Sequence, residues 1–229
     1  IENLKRSGKP EDIRLGDATK KEMTVLFSDI RNFAEMSEKM SPEQTFEFIN
    51  SYLACMGPII HKHNGFIDKF IGDAIMALFD SPNNAVNAAI GMLRALHEFN
   101  QIRYVEGMHT IQIGIGLHTG MLILGTVGEE DRLQTTVIGD TVNIAARIES
   151  LTKVYNVPLI VSGESLPEKK TAGNSLFTRE IDNVRVKGRE QPTTLFEVMN
   201  NNPQDILEKK IQSMPIYEEG LSHYKKGKF

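Results

Sequence analysis

One cysteine in 229 residues, Cys55, cannot form an intramolecular disulfide, so the chain reads as the product of a reducing compartment. It also lacks an apolar run of the roughly 18 residues that a membrane span requires. The most apolar stretch, 111–127, is interrupted by Gln112, His118 and Thr119. A basic excess is missing as well: 26 Lys and Arg against 30 Asp and Glu give a formal charge of −4. That balance argues against a nucleic-acid binder, which carries an electropositive footprint. The chain begins at Ile1, with neither an initiator methionine nor a signal-peptide pattern. We therefore expect a soluble, cytoplasmic piece of a longer protein, whose other segments could carry a sensor or a membrane anchor. Hydrophobic residues still make up 40 % of the chain, enough for a sizeable core and too many for a disordered or fibrous class.

What is there divides into three parts. Residues 1–21 are polar, contain Gly8, Pro10 and Gly16, and read as a linker. Residues 22–200 read as one domain and 201–229 as a C-terminal extension. The domain opens with a buried strand, Met23 to Ser28. Ser41-Pro42-Glu43-Gln44 then starts a helix with a capping box, and Phe46, Ile49, Leu53, Met56 and Ile60 form its expected buried stripe. Cys55, His61 and His63 belong to the surface and packing of that helix.

A hairpin follows, Phe66–Phe70 against Ala74–Phe79, turning at Gly72-Asp73. Helical spacing returns over 83–101. Two strands are expected at 111–118 and 121–127, separated at Thr119-Gly120, then a polar hairpin at 128–132 and a strand over 133–138. Gly139-Asp140-Thr141 caps a further helix. Strands alternating with helices in one compact run predict helices laid on a sheet.

Two acidic residues stand where strands end, Asp29 and Asp73. They are 44 residues apart, so only the fold can bring them together. If their strands are neighbours, the pair suits two divalent cations, because hard carboxylate and phosphate oxygens favour Mg²⁺ or Mn²⁺. Taken alone, an Asp at a strand end or in a Gly-Asp turn is common.

Four blocks occur in order: Phe27-Ser28-Asp29-Ile30-Arg31-Asn32-Phe33, Phe70-Ile71-Gly72-Asp73, Gly114-Ile115-Gly116-Leu117-His118-Thr119-Gly120, and Thr136 through Arg147. Together they resemble the class III nucleotidyl cyclase catalytic domain, over about residues 23–199. The resemblance implies an α+β fold, a ferredoxin-like βαββαβ core sheet with flanking helices and an extra β-hairpin arm. It implies an adenylyl or guanylyl cyclase working with two divalent cations. Asp29 and Asp73 match the family's metal-binding aspartates, with the Ile30 carbonyl as a further ligand. Asn32 and Phe33 open a helix whose N–H groups could receive the triphosphate. Asn143 and Arg147, four apart on one helix, match the pair that orients the ribose and stabilises the transition state. Arg132 and Lys187 match positions that contact the triphosphate.

Lys69 and Thr136 match the residues that read the base. A lysine only donates, which suits N1 of adenine and not the protonated N1 of guanine. The family's adenylyl members usually have Asp where this chain has Thr136; a threonine can accept from N6 but also donate. Lysine with threonine marks a subgroup of adenylyl cyclases, so the expected substrate is ATP. Lys69 and Asp73 lie on opposite limbs of one turn, and the family draws the two sets of groups from different protomers. A head-to-tail homodimer is the expected assembly.

Three rivals stay open: a guanylyl cyclase, another two-metal enzyme on a related sheet, and a degenerate nucleotide-binding dimerisation module. A Gly-Gly-Asp-Glu-Phe turn, which a diguanylate cyclase would show, is absent. Residues 217–229 look like the start of a tetratricopeptide repeat, though a docking or disordered tail is the better reading.

Overall fold

The computed structural model describes residues 18–129, 132–167, 176–184 and 192–227, the side chains of 128–135 excepted. Its framework is β1 (Ala18–Ile30), α1 (Phe33–Ser37), α2 (Pro42–Lys62), β2 (Phe66–Ile71), β3 (Ala74–Phe79), α3 (Pro82–Val105) and β4 (Ile113–Glu129). β5 (Arg132–Ile138), α4 (Asp140–Val154), β6 (Leu159–Ser162), β7 (Thr178–Val184) and β8 (Thr193–Val198) follow, then α5 (Gln204–Gln212) and α6 (Met214–Lys225).

Among the described residues the strands form one sheet in the order β2-β3-β1-β4-β6-β8-β7, with β5 paired to β4. The first four in that order are antiparallel and connected through α2 and α3, the ferredoxin-like arrangement expected. The β4–β5 hairpin is the extra arm. No helix among the described residues is long and apolar enough to cross a membrane.

β1 lies centrally because it can be buried on both sides. Met23, Thr24, Val25 and Leu26 are all essentially inaccessible. Alternation sends Leu26 and Ile30 into the core beneath α2 and α3, and Met23 and Val25 into a second core with Leu122, Val137 and Ala145. The same alternation turns Ser28 toward Tyr52 of α2. Asp29 therefore falls on the α4 side. Large and absent side chains alternate likewise along β4: Ile113, Ile115 and Leu117 enter the α2/α3 core, while Gly114 and Gly116 face α4. A Cβ on Gly116 would stand 2.2 Å from the Glu149 backbone nitrogen. The glycines thus let α4 lie directly on the strand.

Three expectations need correction, and the tail, left open between docking and disorder, is seen to dock. β1 starts at Ala18, inside the polar stretch assigned to a linker, because its first residues pair with β4 from Gly125 to Leu122. β4 is a single 17-residue strand, not two. Thr119 and Gly120 pair with Thr24 and Met23, and Gly120 is needed for close approach, since a Cβ there would meet Thr141 Oγ1 at 2.8 Å. On α2 the capping box forms as expected, but the buried ridge is Phe48, Tyr52, Met56 and Ile60, and Phe46 is 70 % exposed. Both rows satisfy helical spacing; the row carrying the two aromatics removes more surface from water. Lastly, the C-terminal segment forms α5 and α6 docked on the sheet edge. The buried Glu197 carboxylate accepts from Arg179 and Lys210, each at 2.5 Å, and the Arg179 guanidinium lies over the Tyr217 ring.

Candidate active site

Asp29, at the end of β1, and Asp73, in the β2–β3 turn, meet although 44 residues separate them. The Ile30 N–H donates to Asp73 Oδ2 at 3.1 Å, tying the turn to the strand end. The turn is possible because Gly72 adopts φ 64°. Burial first, and then the adjoining Asp73 carboxyl, push Asp29 up to about 6.

A third carboxyl, Glu149 of α4, shares the surroundings. Burial and the charge of Asp29 raise it to about 7, opposed by Arg31. Gly114 pairs with Asp29 across β1 and β4, and a Cβ on it would stand 2.7 Å from Glu149 Oε1. The missing side chain leaves room for the Glu149 carboxyl and for Thr152 Oγ1, which a Cβ would meet at 2.2 Å. Arg31 closes the arrangement by donating to the carbonyls of Thr152 and Val157, at 3.0 and 2.7 Å, which anchors the C-terminal end of α4 beside β1.

Two carboxyls pressed together and short of positive charge are suited to a divalent cation, which would offset both the burial and the repulsion that raise Asp29. Among the described residues no group of three or more His, Cys, Asp or Glu is arranged to hold a metal. Asp29 and Asp73 would thus leave several coordination positions to a backbone carbonyl, water and phosphate, as Mg²⁺ prefers.

On α4, Thr141, Ile144, Ala145 and Ile148 are buried. Asn143 and Arg147 project from the exposed side, one turn apart. Glu149, on the same helix, is coupled by charge to Asp29 and Asp73 within the chain. Asn32 is the N-cap of α1 in the left-handed conformation, φ 57°, without a side-chain capping bond. The next residue, Phe33, stacks on Phe48. Lys69 on β2 and Thr136 on β5 come together, with Lys69 Nζ donating to Thr136 Oγ1 at 2.8 Å. Lys187 lies outside the described residues, as does the Arg132 side chain.

Reading the sequence overlooked Glu149, Arg31 and Asp68. Glu149 has no local signature. Arg31 sits inside the first motif block but has no role until the carbonyls of Thr152, in α4, and Val157, just beyond it, are in place. The signal for Asp68 is a strand irregularity visible only in the pairing of β2 with β3.

The described residues thus combine a ferredoxin-like sheet, a carboxylate pair at one strand end and a helix seated on glycines beside it. The chain belongs to the Adenylate and Guanylate cyclase catalytic domain family, whose model matches residues 16–199. An adenylate cyclase of Anabaena cylindrica is 47 % identical over 195 residues, covering 82 % of this chain and 39 % of that protein. The terminal-differentiation specific adenylate cyclase of Dictyostelium discoideum is 38 % identical over 222 residues, 94 % of this chain and 10 % of that protein. The chain therefore spans well under half the length of either relative. Among solved structures, the adenylyl cyclase CyaB from P. aeruginosa is similar at 30 % identity and TM-score 0.70, over 80 % of this chain and 95 % of that one. The guanylyl cyclase Cya2 is similar at 32 % identity and TM-score 0.68, over 79 % and 93 %.

Proposed function

We propose that this chain is the catalytic domain of an adenylyl cyclase, converting ATP to 3′,5′-cyclic AMP and pyrophosphate at sites shared across a head-to-tail homodimer. The adenylate cyclases of Anabaena cylindrica and Dictyostelium discoideum, at 47 % and 38 % identity, support the adenylyl reading; the two solved structures, one adenylyl and one guanylyl, lie at similar identity, so the base-reading residues carry the choice. The observation that carries the reading is the contact of Lys69 with Thr136. It joins a donor for adenine N1 to an oxygen able to accept from N6.

Asp29, Asp73 and the Ile30 carbonyl would hold two divalent cations, Mg²⁺ or Mn²⁺, which supply Lewis acidity toward the ribose 3′-hydroxyl and the phosphates. Arg147 faces the charge that accumulates on the α-phosphate during in-line attack, and Asn143 orients the ribose. The N–H groups at Asn32 and Phe33, with Arg132 and Lys187, receive the triphosphate. The 3′-hydroxyl proton leaves to solvent or to a substrate phosphate. Asn143 and Arg147 stand on the outer side of α4, which supports their serving the aspartates of a second protomer. The catalytic unit, expected over 22–200, takes in β1 from Ala18, and 201–229 form an extension of it.

The test is an assay of purified protein with ATP or GTP in Mn²⁺ or Mg²⁺. Cyclic AMP should dominate. More cyclic GMP than cyclic AMP at equal substrate would overturn the adenylyl reading, and no product from either would favour a nucleotide-binding module.

A further inference from the structure

β2 and β3 pair at Ile67 with Ala77 and next at Lys69 with Met76. Asp68 is thus an extra residue, a β-bulge. In an unbroken strand the side chains of 68 and 69 would point to opposite faces. Here Asp68 Oδ2 lies 3.2 Å from Lys69 Nζ. The Asp68 side chain is only 5 % exposed, and its Oδ2 receives no hydrogen bond among the described residues. A carboxylate oxygen buried without a donor is costly and calls for a reason.

The reason lies in what lysine can and cannot distinguish. Adenine N1 accepts a hydrogen bond, and guanine N1 carries a proton. Guanine O6, on the adjoining ring carbon, accepts as well. An ammonium at liberty to swing on its four-carbon stem would satisfy either base, so selection depends on where the nitrogen is held. Lys69 has three N–H donors. One reaches Thr136 Oγ1 at 2.8 Å, the Asp68 carboxylate holds the ammonium by charge at 3.2 Å without a hydrogen bond, and a further N–H is left for the base.

We propose that Asp68 is a specificity-determining positioning residue: set at the β2 bulge, it tethers the Lys69 ammonium where it meets N1 of adenine and cannot follow O6 of guanine. This rests on the reading of Lys69 as the residue that recognises the base.

The experiment measures kcat/KM for ATP and for GTP, with Mn²⁺, in the wild type, Asp68→Asn, Lys69→Met and the double variant, with folding checked by circular dichroism. Asp68→Asn should lower the ATP-to-GTP ratio by about tenfold or more, chiefly through a rise in GTP turnover, which damage to the fold cannot produce. The double variant should select no worse than Lys69→Met alone, because the tether acts only through the lysine. Asp68→Ser carries the same expectation if the Asn variant does not fold. If Asp68→Asn loses both substrates in proportion while Lys69→Met abolishes selection, the tether is wrong and the base reading stands. If Lys69→Met leaves the ratio unchanged, the base reading fails and the tether with it.

Discussion

Gly116→Ala adds one methyl group, yet the surroundings give it nowhere to go. The new Cβ would stand 2.2 Å from the Glu149 nitrogen, 2.6 Å from the Glu149 Cα and 2.8 Å from the Ala145 carbonyl oxygen. All three are backbone atoms of α4, so no side-chain rotation relieves the overlap. Ordinary contact begins at 3.4 Å, and α4 must withdraw from β4 by about 1.2 Å. Overpacking of this kind costs about 1–3 kcal/mol, and in a domain of this size each kcal/mol lowers the melting temperature by roughly 2–4 °C. The larger effect falls on turnover. α4 carries Asn143 and Arg147, and a displacement near 1 Å of positioned groups costs about a hundredfold in rate. We expect a folded Gly116→Ala protein that melts several degrees lower and turns over ATP about a hundredfold more slowly. Gly220→Ala is the control: α6 has nothing within 4 Å of that Cβ, and the change should raise stability slightly. Steady-state cyclic AMP formation and thermal melts of both variants test this. Wild-type turnover and melting in Gly116→Ala would refute the claim that α4 rests on the strand backbone.

Asp29→Ala and Asp73→Ala should each abolish turnover while leaving the assembly intact by sedimentation; retention of more than about a tenth of wild-type activity, a barrier change under roughly 1.4 kcal/mol, would contradict the metal role. Mixing Asp29→Ala with Asn143→Ala should restore about a quarter of wild-type activity at equal amounts, because half the dimers are mixed and half their sites are whole. No gain over the separate variants, with subunit exchange shown independently, would place the whole site within one chain. Glu149 should make the metal-free protein less stable as pH rises. Its folded-state value is raised to about 7 from 4.5, so its contribution is complete below about 4.5 and is lost as pH passes through about 7. In chelator, Glu149→Gln should flatten that decline in melting temperature, and an unchanged pH profile would show that Glu149 does not share the aspartates' surroundings.

Periodicity and spacing in the sequence already determined most of the element order, the capping box of α2, and the two strand-end aspartates. These properties are local: turn residues, caps and apolar repeats act within a few positions of one another, so they are written into short stretches of chain. Long-range order decided the rest. Whether Thr119-Gly120 breaks a strand depends on what lies over it, and Thr141 over Gly120 makes the glycine a point of close approach within one long β4. Which of two helical rows on α2 is buried depends on the face that α3 and the sheet cover, and this put Phe48 inside and Phe46 out. The carboxyl group of Glu149 reaches Asp29 only because Gly114 and Gly116 admit α4 to the strand. Asp68 turns to its own neighbour Lys69 only because the pairing of β2 with β3 slips by one residue between Ile67 and Lys69. The hydrogen-bond register between strands sets which way a side chain points, and register is a property of two segments at once, which neither segment's residues carry alone.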